Sequence, residues 1–162
     1  DQILGAFCTR SCRLAEITGG EPLIQQETPL LARRLLEAGF TVLVETNGSC
    51  DIDLLDRHCS RIVDMKCPSS GESAQNDLRN FNKLTDLDEV KFVIGSRQDY
   101  DFAKALLPRI PPHVPTKNIH FSPLYAIFST AVLAGWMLED GVGARLSPQL
   151  HKAIWPDSSR GV

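Results

Sequence analysis

The chain has 162 residues, 43% of them apolar and 23% charged, which suits one domain with a real core and is too short to expect two. A formal charge of −3 gives no basic face, so direct binding of nucleic acid is not expected, and no apolar run approaches the roughly 18 residues of a membrane span. Five cysteines, at positions 8, 12, 50, 59 and 67, are too sparse for a secreted disulfide scaffold, and reduced thiols of a cytoplasmic protein are the expectation.

Residues 1–13 read as the tail of a helix and a loop, with Cys8 and Cys12 spaced C-x3-C. Leu14–Ile17 is a short apolar strand that runs straight into Thr18-Gly19-Gly20-Glu21-Pro22. Consecutive glycines let a backbone approach a ligand at angles a side chain would forbid, and Pro22 suits the first turn of a following helix. Glu21, held between them at the carboxyl end of a strand, is placed to accept hydrogen bonds from an ammonium group, and such strand ends are where α/β folds bind ligands. A tight strand–helix turn without a ligand would use the same residues, because a Gly-Gly pair alone is weak evidence.

Leu30, Leu31, Leu35 and Leu36 recur at helical spacing, so residues 23–38 are expected to be helical and to stop at Gly39. The run 40–44 lacks alternation, the mark of a strand buried on both faces of a parallel sheet. It ends in Glu45-Thr46-Asn47-Gly48-Ser49, a turn built on Asn-Gly or a ligand loop. A short helical segment over 53–58 leads to a strand over 61–65, and Asp64-Met65-Lys66-Cys67-Pro68-Ser69-Ser70-Gly71 leaves its carboxyl end. Lys66 offers a point charge to a carboxylate, Ser69 and Ser70 offer hydroxyls beside a proline bend, and Cys67 reads as a packing thiol.

Residues 76–87 are polar helix or loop, and Glu89–Ile94 is a strand in which Lys91 alternates with apolar positions. Asp99 is expected to cap a helix over 100–107. Pro108, Pro111, Pro112 and Pro115 make a rigid connection to a strand over 118–122, followed by an apolar helix over 124–138. A last strand is expected over 144–150, at an edge because Pro148 cannot donate to a ladder. It leads into Gln149-Leu150-His151-Lys152, where the histidine is as readily a core residue as a ligand. Strand–helix alternation without internal repeats argues α/β with a parallel sheet.

Taken together, these stretches resemble a known family. Thr18-Gly19-Gly20-Glu21-Pro22 has the form of the second loop of radical S-adenosylmethionine (SAM) enzymes. The segments 44–49 (VETNGS), 64–72 (DMKCPSSGE), 88–94 (DEVKFVI) and 149–156 (QLHKAIWP) narrow the likeness to the 7-carboxy-7-deazaguanine synthases of queuosine biosynthesis, from about Leu14 to Arg160-Gly161-Val162. The resemblance implies a partial, incomplete TIM-like radical SAM barrel of mostly parallel strands, with residues 1–162 as a single core domain. Its first strand and cluster loop are expected to lie outside this chain. The resemblance also implies SAM bound by Gly19, Gly20, Glu21, Asn47, Ser49, Lys66 and Ser69, and a pterin substrate contacted by Thr18, Gly20, Gln149 and His151. A [4Fe-4S] cluster, Mg2+ at the substrate and a homodimer are implied as well. The implied activity is that of a carbon–nitrogen lyase, which contracts 6-carboxy-5,6,7,8-tetrahydropterin to 7-carboxy-7-deazaguanine with loss of ammonia, for tRNA modification.

The cluster motif is where the chain departs from that pattern. C-x3-C-x2-C would need a third cysteine at residue 15, which is Ala15, and the strand and GGEP loop follow Cys12 at once. Three thiolates that leave one iron free are the chemistry required. Cys8 and Cys12 are therefore read as ordinary thiols, and this chain alone is expected to be inactive. Two other readings stay open: another radical SAM enzyme, such as a glycyl-radical activase, which shares GGEP but not ETNGS or QLHK, and a cluster-free chain that binds a ligand or partner without catalysis.

Overall fold

The computed structural model describes residues 2–9 and 11–155, so the ending Arg160-Gly161-Val162 and Pro156 lie outside the described residues. In chain order the elements are α1 (Gln2–Cys8), β1 (Leu14–Ile17), α2 (Thr28–Glu37), β2 (Thr41–Thr46), β3 (Ser60–Met65), β4 (Glu89–Ile94), α3 (Arg97–Leu106), β5 (Ile119–Pro123), α4 (Thr130–Glu139), β6 (Arg145–Leu146) and α5 (Leu150–Ile154). The six strands form one sheet in sequential order, every neighbouring pair parallel. Sequential parallel order is barrel order, and with β1 and β6 at the two edges the sheet is an open part of a barrel.

Register sorts the side chains onto two faces. Val42, Val44 and Thr46 of β2, Val63 and Met65 of β3, Val90, Phe92 and Ile94 of β4, and Ile119 and Phe121 of β5 share one face. These residues are buried together with Ala32 and Leu35 of α2, Tyr100 and Ala103 of α3, and Leu133 of α4. The hydrophobic core therefore lies between the sheet and its helices. Tyr100 anchors α3 to α4 by donating to the Trp136 carbonyl at 2.9 Å and to Asp140 at 2.8 Å. The other face carries Glu16, Glu45, Asp64, Glu89, Lys91 and His120, and it is polar and partly open.

Several local expectations are corrected. The strand from Thr41 to Thr46 is buried on one face rather than two: Val42, Val44 and Thr46 are buried, while Leu43 and Glu45 on the polar side are half-buried. Helix α2 begins at Thr28, and Pro22 opens a separate turn of 3-10 helix over Pro22–Ile24. Ser96, not Asp99, caps α3: its hydroxyl accepts from the Asp99 N–H at 3.1 Å. The apolar run from Leu124 enters a helix at Thr130, where Ser129 caps it. The last strand ends at Leu146: Ser147 makes the final ladder bond, to the Phe121 carbonyl at 2.9 Å, and Pro148 has no N–H to continue it. Gln149 and His151 therefore sit at the start of α5, not on a strand.

Candidate functional site

Because all strands run parallel, the loops after β1, β2, β3 and β4 open on one rim, the carboxyl end of the sheet. After β1 the chain turns through Gly19 at φ +101° and Gly20 at φ +57°, angles that favour glycine. A Cβ built on either glycine meets nothing within 4 Å, so this backbone faces open space. Thr18 is exposed beside them. Glu21 turns inward. Its Oε1 accepts from the Leu23 N–H at 2.9 Å, its Oε2 accepts from the Asn47 N–H at 2.7 Å, and the Thr46 hydroxyl lies 2.9 Å from both oxygens. The carboxylate is thus a strut between the first and second loops of the rim. Three donors leave one of its roughly four acceptor positions for a further N–H.

The second loop is held from several sides. Asn47 Oδ1 accepts from the Ser49 N–H at 2.9 Å, and the Thr46 hydroxyl accepts from the Gly48 N–H at 3.2 Å. The fully buried Asn80 donates to the carbonyls of Gly48 at 3.1 Å and Cys50 at 2.8 Å. Ser49 is exposed, while Asn47 is half-buried.

In the third loop Asn76 clips the backbone of Lys66 at both its N–H and its carbonyl, each at 2.9 Å. The Lys66 ammonium donates to Asp64 Oδ2 at 2.7 Å. Ser69 donates its N–H to Asp99 Oδ1 at 2.8 Å, and the Gly95 N–H donates to Asp99 Oδ2 at 2.9 Å. Burial pushes the Asp99 carboxyl up, but these donors more than offset it and leave the group below the ordinary carboxylate range. Asp64, Lys66, Ser69, Asp99 and Leu124 line a cavity of about 200 Å3, and Asp64 Oδ1 is buried with no partner among the described residues. Cys67 packs as expected, since burial pushes its thiol up to about 12. A larger open hollow of about 610 Å3, by Arg57, Thr85 and His113, lies at the opposite, amino-terminal side of β3 and β4. Two of its polar groups are engaged, Thr85 with Asp88 and His113 with the Leu84 carbonyl at 2.8 Å.

The polar face holds two charged constellations, Lys91 with Glu45 beneath the rim and His120 with Glu89 in the amino-terminal half of β4 and β5. Lys91 of β4 donates across β3 to Glu45 of β2 at 2.8 Å. Burial opposes the charge on Lys91, yet Glu45, Asp64 and Glu16 outweigh it and hold the ammonium above its usual range. His120 of β5 stands between Glu89, 3.0 Å from Nε2, and the Ser147 hydroxyl, 2.8 Å from Nδ1. The His120 ring beside it is the main cause that holds the Glu89 carboxyl below its usual value.

The structure therefore brings Gly19, Gly20, Glu21, Asn47, Ser49, Lys66 and Ser69 to one rim. His151 is exposed and Gln149 half-buried on the segment after β6, beyond the far edge of the sheet. Glu45, Asp64, Lys91 and His120 were missed as site residues. A signal was present for Glu45 and Lys91, titratable residues that alternate with buried positions along β2 and β4.

A cluster has a poor fit. Cys12 is exposed, its thiol 3.7 Å from the Leu14 carbonyl. Among the described residues no three His, Cys, Asp or Glu side chains gather as a metal would need. Nor is any helix among them long and apolar enough to cross a membrane.

No family model matches the chain. It is 37% identical over 162 residues to the 7-carboxy-7-deazaguanine synthase of Koribacter versatilis, covering 92% of this chain and 72% of that protein. It is 35% identical to the enzyme of that name from Chlorobaculum tepidum, covering 100% of this chain and 74% of the other. With the one from Methanospirillum hungatei it shares 42% identity, over 85% of this chain and 57% of the relative. The crystal structure of QueE from Escherichia coli superposes with a TM-score of 0.70 at 22% identity, covering 91% of this chain and 61% of that one, a likeness of fold.

Proposed function

The chain belongs to the 7-carboxy-7-deazaguanine synthase family, and from that premise we propose that its carboxyl-end rim holds SAM and a pterin for a radical ring contraction. The reaction is conversion of 6-carboxy-5,6,7,8-tetrahydropterin to 7-carboxy-7-deazaguanine with loss of ammonia. The observation that supports this most is the Glu21 strut, which fixes the Gly19-Gly20 turn against the Thr46-Asn47 turn and leaves the glycine backbone facing open space.

In this reading Gly19, Gly20, Asn47 and Ser49 present backbone and short side chains to SAM, and Glu21 offers its remaining acceptor position to the methionyl ammonium. Lys66 and Ser69, across the rim, face its carboxylate and ribose. The chemistry SAM supplies when bound is hydrogen abstraction by its 5′-deoxyadenosyl group. Thr18 and Gly20 border the pterin from one side, and Gln149 and His151 from the other. Lys91 and Glu45 place an ion pair inside the rim, beneath the ligands. The residues present do not fit the [4Fe-4S] cluster, since Cys8 and Cys12 lack a third thiolate at the required spacing. No step is assigned to it or to Mg2+ here. A homodimer belongs to the same reading and is implied by the family alone.

Calorimetric titration of the reduced pterin into this chain under anaerobic conditions tests the proposal. Saturable binding is expected, weakened about tenfold or more by Gly20→Val, which puts a branched side chain where φ is positive and the ligand must approach. Absence of binding, or equal binding by the variant, would overturn it.

A further inference from the structure

We propose that Glu89, His120 and Ser147 form a positioning relay that holds the segment bearing Gln149 and His151 to the polar face of the sheet. The tether itself follows from geometry; that it serves substrate rests on the reading of Gln149 and His151 given above.

The segment has little else to hold it. β6 contributes two residues, Arg145 and Leu146, paired with His120 and Phe121. After the Ser147 N–H reaches the Phe121 carbonyl, Pro148 ends the ladder. α5 is five residues long, far below the length at which a helix persists without packing. Packing is sparse too: Leu150, Ile154 and Trp155 are 64%, 60% and 50% exposed.

What remains is the Ser147 hydroxyl, 2.8 Å from His120 Nδ1, on a ring whose side chain is 11% exposed. Glu89 Oε2 lies 3.0 Å from Nε2 as a charge contact that keeps the ring beside β4, although Nε2 makes no hydrogen bond among the described residues. The Ser147 hydroxyl can donate to Nδ1 or accept from it, so the bond forms with either tautomer. The groups facing His120 are Glu89 and Lys91 from β4 and Arg145 and Ser147 from β6.

A hydroxyl, an imidazole and a carboxylate in a row also suggest an activated nucleophile. Against that, the Ser147 N–H is already engaged with Phe121, so it cannot serve as an oxyanion donor. The relay positions; it does not attack.

Amide hydrogen exchange over 149–155, with β3 as an internal control, tests the tether. Ser147→Ala is expected to speed exchange there about tenfold, Ser147→Thr to restore it, and His120→Gln to resemble the alanine variant, with β3 unchanged. Unchanged exchange in Ser147→Ala would overturn the relay. Should His120→Gln disturb β3 as well, the Ala and Thr pair decides alone. Titration of the reduced pterin gives the second readout: affinity about tenfold weaker in Ser147→Ala and rescued by Thr is the expected result. Faster exchange with unchanged affinity would contradict positioning of the substrate contacts. If the unmodified chain binds no pterin, the functional reading fails, and the relay is judged on exchange alone.

Discussion

Gly48 shows how tightly the rim is set at the level of single residues. It sits at φ +72°, and a Cβ there would come within 3.0 Å of Val63 Cγ1 and 3.5 Å of Met65 Sδ. Gly48→Ala should cost about 1–2 kcal/mol for the left-handed backbone alone, with crowding added. Urea unfolding would show it as a lower midpoint with unchanged slope; an unchanged midpoint would mean the loop relaxes freely. Asp99 ties the third loop to β4 and α3, and its carboxyl is held below the ordinary range. A depressed folded value gives stability that is present above the unfolded value, about 3.9, and lost as pH falls through the folded one. Asp99→Asn should therefore lower stability at neutral pH by about 1–3 kcal/mol and flatten the acid limb of the stability profile. An unaltered acid limb would show that Asp99 is not among the groups that set it. The two glycines and Lys66 could be picked out from the sequence because their residue types announce a turn and a charge. The inward turn of Glu21 could not, since it depends on Thr46 and Asn47, 25 and 26 residues away.

Among the elements, β3 shows the division between the rim and the opposite end of the sheet. Near its start the buried Arg61 donates through Nε to Asp88 at 2.9 Å and through its guanidinium to the Lys83 carbonyl at 2.8 Å. Asp88 also accepts from the Arg61 N–H at 2.9 Å and the Thr85 N–H at 2.6 Å. These groups lie at the amino ends of β3 and β4, the face of such folds that serves stability. Asp88→Asn leaves a buried guanidinium without its counter-charge and should cost about 3–5 kcal/mol, read by denaturant unfolding, with ligand affinity kept in the fraction that stays folded. A loss of affinity greater than the loss of folded protein would contradict that separation. β1, β3 and β4 were readable from short apolar runs between turn residues. The last strand and its edge position were readable as well, but not its end: the run expected to reach residue 150 stops at Leu146. The start of α4 was misplaced for a related reason: Leu124–Phe128 is apolar but forms the turn before the Ser129 cap.

Across the whole molecule, a sequential parallel sheet with helices on one side leaves its other face polar and uncovered, and gathers the loop ends on one rim. The parallel α/β architecture could be read from strand–helix alternation, and the family from the loop motifs. The polarity of the uncovered face could not be read so directly. Glu45, Asp64, Lys91 and His120 look like isolated charges within strands until the register places them side by side. Binding of SAM at that rim is tested most directly by equilibrium dialysis of this chain against labelled SAM. Saturable retention that Gly20→Val abolishes, and that Gly39→Ala at the amino end of β2 leaves intact, is the predicted result. No retained label, or equal retention by both variants, would contradict it.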